Sequence, residues 1–422
     1  MLKVAFLGIM TLSLFFHIIL SSSSMLINQG LNEKESINLT SQIEIHVPND
    51  FQNIQDAINA SSGGAIIKIS PGIFKENLFI DKPITLLGDN TIVSPIANDP
   101  GIFIDNAEEV LISGLSIQPD FLDNQLDSVG IKVIGQTNLS LNNLKILNFS
   151  KSLHLISGST VIAKELLLSS NELFTTSSAI VVKNSKLSLE DSQMFFQSID
   201  IDGSHLFLSN ESNLELRNNQ ITFFGPNRGI SSALFLIDSQ AIIQGNNILG
   251  KRAEGIIIEG SRGLNIVENT IHSNVFGINI FRSRPEYSSE NIMISKNHLL
   301  GLNNSGTGLK IDSMSVNANN NLIKGFTNGI KISFEAEVLL TENSIFGNSS
   351  HGIIADTSAS SINLISNRII GNAECGLKVF DVLPTHERLK EITGQSNLFL
   401  SNKFNNLCLS KFSVSEGFLS VF

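Results

Sequence analysis

The sequence feature that most constrains the fold is a four-residue phrase that recurs through the second half of the chain. It consists of Gly, a large aliphatic residue, any residue and a further aliphatic or small apolar residue. Its glycines are Gly255, Gly277, Gly308, Gly329, Gly352 and Gly376, and successive glycines are 22, 31, 21, 23 and 24 residues apart. A repeat length in the twenties with aliphatic residues at alternate positions predicts a solenoid of short β-strands. A helical repeat would instead require apolar stripes with a period of 3.6 residues.

A second phrase, Asn-x-aliphatic, follows most of these glycines after about a dozen residues. Its asparagines are Asn269, Asn297, Asn321, Asn343 and Asn367. We therefore expect each repeat to be one coil of an all-β, right-handed parallel β-helix with roughly a dozen coils, stacked at the ~4.8 Å spacing of paired strands. Stacked amides can hydrogen-bond along the stack. The five asparagines are thus predicted to be an architectural ladder and not a binding site.

The chain also shows a predicted domain order. Residues 1–24 resemble an export signal, with Lys3 followed by the apolar run Val4–Leu20. An uncleaved membrane anchor is the alternative, because the run approaches the length of a membrane span; no other span is expected. Residues 25–42 are a polar linker, 43–64 a strand and capping helix, 65–410 the β-helix, and 411–422 a C-terminal cap. The helix is predicted because Phe51, Ile54, Ala57 and Ile58 share one helical face.

Composition narrows the classes of partner. The net charge is −11, with 28 Lys+Arg against 39 Asp+Glu. Nucleic acid is not expected as a partner, because phosphate binding requires a concentrated basic surface. The chain has two cysteines, Cys375 and Cys408. Cys375 precedes a repeat glycine and Cys408 lies inside the next predicted strand, so the two are expected in different columns and a disulfide is not predicted.

Three segments near the N-terminus carry a family resemblance, namely 54–58 (IQDAI), 67–77 (IKISPGIFKEN) and 84–89 (ITLLGD). They resemble the opening of pectin-lyase-like right-handed β-helix proteins, and pectin methylesterases begin similarly. The later coils resemble the repeat of polysaccharide lyases, polygalacturonase-type hydrolases and NosD-like periplasmic proteins. The resemblance covers roughly residues 43–410. It supports the fold more specifically than any activity.

The catalytic motifs of these families are largely missing. Polygalacturonase-type enzymes place an Asp and an Asp-Asp pair on neighbouring coils, because two carboxylates must flank one sugar bond. The residues that precede the repeat glycines are Glu254, Phe276, Thr307, Asn328, His351 and Cys375. Only Glu254 is a carboxylate. His351-Gly352 matches a His-Gly element of the family, but four coils separate it from Glu254, or about 19 Å. Catalytic residues therefore stay unassigned, and whether the chain is an enzyme stays open.

Charged outward positions suggest a binding groove. The candidate substrate-binding residues are Lys310, Asp312, Lys331, Asp356, Arg252, Glu254, Arg282 and Arg284. Lys310 and Lys331 share a column on adjacent coils, and Lys378 joins it two coils later. Arg252 and Glu254 are expected near the loop that carries Arg282 and Arg284. Ammonium and guanidinium groups pair with uronate carboxylates. The alternative is that these residues only keep the surface soluble.

No metal site or other cofactor is predicted. Calcium is the alternative, with ligands from Glu108, Glu109, Asp120, Asp123 and Asp127. For copper, as the NosD-like resemblance would imply, Met293, His298 and Met314 are the nearest approach to a cluster.

These observations predict an exported β-helix protein that interacts with carbohydrate, by binding or degrading an acidic polysaccharide. A secreted, periplasmic or cell-surface location fits this prediction. The alternative is a non-catalytic structural or accessory protein of the NosD-like kind. The sequence does not indicate the substrate, the reaction or the oligomeric state.

Overall fold

The computed structural model describes residues 43–96, 99–120, 128–173, 178–198, 203–226, 230–283, 292–381, 389, 392–409 and 418. The predicted signal (1–24), the linker (25–42) and the predicted C-terminal cap except Phe418 lie outside the described residues.

The described chain is a right-handed parallel β-helix of about 13 turns, which confirms the predicted fold class. A complete coil contributes one strand to each of three parallel sheets. In the coil of Gly255 these strands are Glu254–Glu259 in sheet 1, Leu264–Val267 in sheet 2 and Thr270–Ser273 in sheet 3. Each strand pairs in parallel with its counterparts in the coils before and after it.

Strands are numbered along the chain. Sheet 1 contains β4 (Leu78–Ile80), β6 (Ile102–Asp105), β8 (Val129–Ile134), β11 (Lys151–Ile156), β14 (Ser178–Lys183), β17 (His205–Asn210), β20 (Ser232–Ile237), β23 (Glu254–Glu259), β26 (Phe276–Phe281), β29 (Thr307–Asp312), β32 (Asn328–Ser333), β35 (Ile353–Asp356), β38 (Cys375–Phe380) and β41 (Asn405–Leu409).

Sheet 2 contains β1 (Glu44–Val47), β2 (Ala65–Ile69), β9 (Asn138–Asn142), β12 (Thr160–Lys164), β15 (Lys186–Glu190), β18 (Asn213–Arg217), β21 (Gln240–Gln244), β24 (Leu264–Val267), β27 (Ile292–Ser295), β30 (Ser315–Asn319), β33 (Glu337–Thr341), β36 (Ser361–Ile365) and β39 (Ile392–Gln395). Two long strands, β5 (Ile84–Val93) and β7 (Val110–Ile117), run through both sheets 2 and 3.

Sheet 3 contains β3 (Gly72–Phe74), β10 (Lys145–Leu147), β13 (Leu167–Leu173), β16 (Gln193–Ser198), β19 (Gln220–Phe224), β22 (Asn247–Lys251), β25 (Thr270–Ser273), β28 (His298–Gly301), β31 (Leu322–Lys324), β34 (Ser344–Phe346), β37 (Arg368–Ile370) and β40 (Leu398–Leu400).

The core is a continuous stack of aliphatic side chains inside the coil. In β29, Leu309 and Ile311 point inward and are fully buried, while Lys310 between them points outward. This follows from the alternation of side chains along a strand. Burying one such Leu or Ile contributes about 1.5–3 kcal/mol, and most sheet 1 strands supply two buried apolar side chains. The inward positions therefore determine the fold, and the outward ones are free to vary.

The corner asparagines form an inner ladder between sheets 2 and 3. The Asn321 Oδ1 accepts from the backbone N (2.9 Å) and the Nδ2 (3.0 Å) of Asn297. The Asn321 Nδ2 donates to the Ile294 carbonyl (2.8 Å) and to the Asn343 Oδ1 (2.9 Å). The structure places all five ladder asparagines in this one column, which also includes Asn219, Asn246 and Asn397. The ladder pairs backbone groups that would otherwise be buried without a partner.

Two further ladders were not predicted from the sequence. Asn348, Asn372 and Asn402 form a second amide ladder at the corner that leads into sheet 1. The other ladder consists of serine side chains and lies at another corner, in the first half of the chain. There the Ser239 Oγ accepts from the Ser212 backbone N (3.3 Å), and the Ser212 Oγ accepts from the Ser185 backbone N (3.2 Å).

A short helix, α1 (Ile54–Ala60), lies between β1 and β2 at the start of the solenoid. Its residues Ile54, Ala57 and Ile58 are buried in the core, and Phe51 packs against it. The Glu76 carboxylate accepts from the backbone N of Ile54 (2.9 Å) and of Gln55 (2.8 Å). A carboxylate at a helix N-terminus stabilises it by pairing its free N–H groups. Only seven residues long, α1 is the one helix in the described part of the chain, and it is too short to cross a lipid bilayer.

The prediction that the two cysteines do not bond is wrong. Cys375 and Cys408 form a disulfide, with their Cα atoms 6.0 Å apart. The two cysteines do occupy different columns, as predicted, because Cys408 pairs with Lys378 and Cys375 pairs with Asn405. A regular strand would point residues three apart to opposite faces. The ladder between β38 and β41 skips Gly376, and this irregularity turns Cys375 outward beside Cys408.

Candidate functional site

The outer face of sheet 1 has three rows of side chains. Row a holds the residue before each repeat glycine, row b the second residue after it, and row c the fourth. In β29 these are Thr307, Lys310 and Asp312. Rows a and b are three residues apart and still face the same side, because the alternation of side chains is interrupted at the glycine. The pairing of β29 with β32 skips Gly308 and Gly329 there without a change of register.

This geometry produces a contact rule: a row a side chain reaches the row b side chain of the next coil. The Lys310 Nζ of row b lies 5.4 Å from the ring centroid of Phe276 in row a. His205 and Phe235 are related in the same way, with ring centroids 4.8 Å apart, and so is the disulfide pair. Adjacent coils therefore bring together residues about 25–34 positions apart that no local motif connects.

The rule assembles a hydrogen-bonded network that we call the polar chain: Glu254, Asn279, Lys310, Asp312 and Ser333. The Asn279 Nδ2 donates to the Glu254 Oε2 (3.0 Å). The Lys310 Nζ donates to the Asn279 Oδ1 (3.5 Å) and pairs with the Asp312 Oδ2 (2.5 Å). The Ser333 Oγ donates to the Asp312 Oδ1. The polar chain thus crosses four consecutive strands, β23, β26, β29 and β32.

Glu254 is the unusual member of the polar chain. It is only 5% exposed although it lies on the outer face. Burial raises the pKa of its carboxyl to about 7, against the opposing effects of the Asn279 hydrogen bond and the charge of Lys310. Because burial disfavours the charged form, this carboxyl is substantially protonated near neutral pH. It can therefore accept or donate a hydrogen bond, and a proton, under mild conditions.

Lys331 continues row b next to Lys310, and their Cα atoms are paired across β29 and β32. Among the described residues, no carboxylate lies within 4 Å of the Lys331 Nζ, whereas Lys310 is paired with Asp312. Lys378 lies two coils further in the same row. Lys331 is thus a cation on this face that a bound anion would not have to share with a described acidic side chain.

His351 and Asp356 are close to row b without joining the polar chain. The His351 Nε2 lies 3.1 Å from a Glu374 carboxylate oxygen, and its Nδ1 accepts from the Cys375 backbone N (3.2 Å). Burial and the charge of Lys378 lower the pKa of His351. Asp356 is buried and accepts from the backbone N of Ser358 (3.0 Å). Both residues therefore have structural partners of their own.

The predicted proximity of Arg252 and Glu254 to Arg282 is corrected. Arg252 and Glu254 lie where β23 begins. Arg282 follows the last residue of β26, so it lies at the opposite end of the sheet 1 strands. Arg282 instead pairs with Glu335 (3.2 Å). The two ends of the strands are a full strand length apart. The row that a residue occupies therefore predicts its neighbours better than the order of the loops does. Arg284 lies outside the described residues.

The metal candidates do not come together in the described part of the chain. Asp120 pairs with Lys75 (2.5 Å), Glu108 and Glu109 are exposed, and Asp123 and Asp127 lie outside the described residues. Within the described ranges, no group of three or more His, Cys, Asp or Glu side chains has the spacing of a metal site. For the copper candidates, Met314 is buried, Met293 is on sheet 2 and His298 is on sheet 3.

Three members of this site were missed from the sequence: Asn279, Ser333 and the ring of Phe276 beneath Lys310. Each of the three lies at a fixed offset from a repeat glycine, so the sequence does mark its position. The offset alone does not predict its contacts, because these depend on the irregular backbone at the glycine.

Comparisons with known proteins agree with the fold. A family model described as a right-handed β-helix region matches residues 287–414. Comparison with curated proteins gives no match for the sequence. Among solved structures, the A-module of the mannuronan C-5 epimerase AlgE4 from Azotobacter vinelandii is 12% identical with a TM-score of 0.45, covering 86% of this chain and 93% of that chain.

Two further solved structures illustrate the range of similar proteins. PfbA, a surface adhesin of Streptococcus pneumoniae, is 14% identical with a TM-score of 0.45, covering 88% of this chain and 93% of its own. An exopolygalacturonase from Thermotoga maritima is 10% identical with a TM-score of 0.35, covering 86% of both chains. At these identities the likeness concerns the fold alone. What is confirmed of the predicted resemblance is the right-handed β-helix itself, which the family model matches over residues 287–414.

Proposed function

We propose that this protein binds an acidic polysaccharide along the second half of the outer face of sheet 1. The observation that carries the proposal is the run of row b lysines. Lys310 and Lys331 lie on adjacent coils, Lys378 follows two coils later, and Lys331 has no carboxylate partner among the described residues.

The chemistry of this face suits a uronic acid polymer. An ammonium group forms charge-assisted hydrogen bonds with a carboxylate, and a regular row of them suits a ligand whose carboxylates also repeat. Asn279 and Ser333 are buried beside the lysines and hold the Lys310 and Asp312 side chains in place. Because the lysines recur along the stack of coils, the face favours a repeating polymer over a small inorganic anion.

An exported location supports the same proposal. The signal-like segment at residues 1–24 and the Cys375–Cys408 disulfide both favour a non-cytosolic compartment, because disulfides persist mainly in oxidising environments. Extracellular and periplasmic spaces are also where structural polysaccharides are found.

The test is calorimetric titration of the purified protein with oligogalacturonate and oligomannuronate. Lys331→Met is expected to weaken binding about tenfold, the effect of one lost charge-assisted hydrogen bond. Lys132→Met is the matched control, because Lys132 occupies the same row in the first half, over the Phe103 ring. Neutral dextran should not bind. Equal effects of the two substitutions, or no binding of either uronate, would refute the proposal.

Degradation of the bound polymer is a second candidate function, favoured by the buried Glu254 carboxyl in contact with the lysine network. Incubation with both uronates should then produce new double bonds or reducing ends, and Glu254→Ala should abolish them. Binding without any product would leave the non-catalytic role, as a surface or periplasmic accessory protein, as the function.

A further inference from the structure

We propose that protonation of Glu254 controls how tightly this face holds its polyanion, so that the protein binds in mildly acidic medium and releases in mildly alkaline medium. The inference rests on the proposed function and adds its regulation. It starts from geometry: the Glu254 carboxyl is buried, and the Asn279 side chain links it to the lysine row.

Among the described residues, Lys310 is the charged side chain that affects the ionisation of Glu254. Strand β20 presents Ser232 opposite Glu254, and β26 presents Phe276 and Asn279, all of which are uncharged. From β29, Lys310 is the charged group of the described residues that acts on Glu254. A change in the charge of Glu254 is therefore felt first at Lys310, through the shared Asn279 amide.

The charge balance of the site is small enough for one proton to matter. Within the polar chain and the adjoining Lys331, Asp312 matches Lys310, so Lys331 leaves one net positive charge while Glu254 is protonated. Lys378 lies two coils further from Glu254. Ionisation of Glu254 cancels that one net positive charge. The ionised carboxylate also competes with the ligand for the field of Lys310. Both effects weaken an anionic ligand in the same direction.

The nearest other candidates for titration are His351 and the two cysteines. Burial and the charge of Lys378 lower the pKa of His351, which moves its titration away from that of Glu254. The cysteines next to it are bonded to each other. The uronate carboxyls of the ligand stay ionised, since sugar carboxyls titrate well below neutrality.

The experiment measures the affinity for oligogalacturonate at about pH 5.5 and about pH 8.5, on either side of the Glu254 titration, at constant ionic strength. The wild type is expected to bind about three- to tenfold more weakly at the higher pH, the size of a one-charge change screened by salt. Glu254→Gln, which keeps the hydrogen bond and removes the charge, should bind at both pH values with the acid-side affinity. Glu337→Gln is the matched control; Glu337 is exposed on sheet 2 and its loss should leave the pH dependence of the wild type.

A second variant keeps the test decisive if Glu254→Gln does not fold. Asn279 donates a hydrogen bond to the carboxylate, which favours its ionised form. Asn279→Ala should therefore move the midpoint of the pH dependence to higher pH, which a merely structural role would not do. Oligomannuronate serves as a second probe with the same carboxylates in another geometry.

The outcomes separate the inference from the proposed function. Binding by the wild type that is equal at both pH values, or a pH dependence that persists in Glu254→Gln, overturns the inference alone. No binding at either pH overturns both.

Discussion

The two halves of the outer face of sheet 1 have the same backbone and different chemistry. Row b in the first half, from β4 to β20, is mainly aromatic and aliphatic: Phe79, Phe103, Lys132, His154, Val181, Leu208 and Phe235. In the second half, from β23 to β38, it is mainly polar and cationic, with two aliphatic exceptions: Ile257, Asn279, Lys310, Lys331, Ile354 and Lys378. Because the inward residues alone satisfy the core, the outward rows can diverge without changing the fold. The site of function on such a solenoid therefore depends on which side chains line the outward rows. The backbone of the coils, which both halves share, does not specify it.

The halves also differ at the position that the repeat glycine occupies. Each coil from β23 to β38 has glycine there, as do the early coils of β6 and β8 with Gly101 and Gly130. The coils of β11, β14, β17 and β20 instead have Ser152, Ala179, Leu206 and Ala233, all fully buried. A Cβ added at Gly329 would lie 2.4 Å from the Ile345 Cγ2 and 2.5 Å from the Gly352 carbonyl oxygen. The second half is thus packed too tightly at this corner for any side chain.

The largest expected effect contrasts the ladders of the two halves. Asn321→Ala should lower the free energy of unfolding by about 3–5 kcal/mol, because several buried groups on Asn297, Ile294 and Asn343 lose their partner. Ser212→Ala should cost only about 1–2 kcal/mol, since fewer bonds are lost. Urea unfolding followed by circular dichroism checks both, and equal losses would mean that the amide ladder has no special weight.

The disulfide comes next in expected size. Replacing both Cys375 and Cys408 by Ser should cost about 3 kcal/mol, from the chain entropy released over a separation of 33 residues. The loss should be local, because solenoid coils contact mainly their neighbours. Hydrogen exchange should accelerate in β38 and β41 and stay unchanged in β8 and β11. Unchanged exchange throughout would contradict this.

Opposite pH responses are expected in the two halves. The pKa of Glu254 is raised from 4.5 to about 7, so the folded state binds the extra proton and stability falls as pH rises through that range, by about 2–3 kcal/mol. The pKa of His205 is lowered by burial from 6.5 to about 4, so stability falls instead as pH drops through that range. In melting temperatures measured against pH, Glu254→Gln should remove the first slope. His205→Gln should reduce the second, which His154 shares because burial also lowers its pKa to about 4. A slope that its own substitution leaves unchanged would refute the assignment.

The smallest stability effect concerns the glycine row. Gly329→Ala should cost about 2 kcal/mol from overpacking. Ala179→Gly, at the same position of the first half, should cost about 1 kcal/mol, from lost burial and added chain entropy. Differential scanning calorimetry distinguishes them, and a neutral Gly329→Ala would show that the corner can relax.

Much of the fold was predictable because the repeat makes each inward position explicit. The glycine period and the stacked asparagines Asn269 to Asn367 follow from strand alternation and coil stacking. The disulfide and the contacts of Asn279 were not predictable by that reasoning, since the irregularity at the glycine moves row a beside row b. The serine corners of the first half were not predicted because the coils from β11 to β20 lack the repeat glycine that marks the period in the second half. The predicted position of Arg282 was wrong because Arg282 follows the end of strand β26, whereas Glu254 lies at the start of β23.

The most direct test of the central claim is a crystal structure of the protein with bound oligogalacturonate at about pH 5.5, below the Glu254 titration. The sugar chain is expected along row b of the second half, with a uronate carboxylate within hydrogen-bond distance of the Lys331 Nζ and a further contact to the polar chain. Density over the aromatic first half, on sheets 2 or 3, or nowhere on the protein would contradict the account.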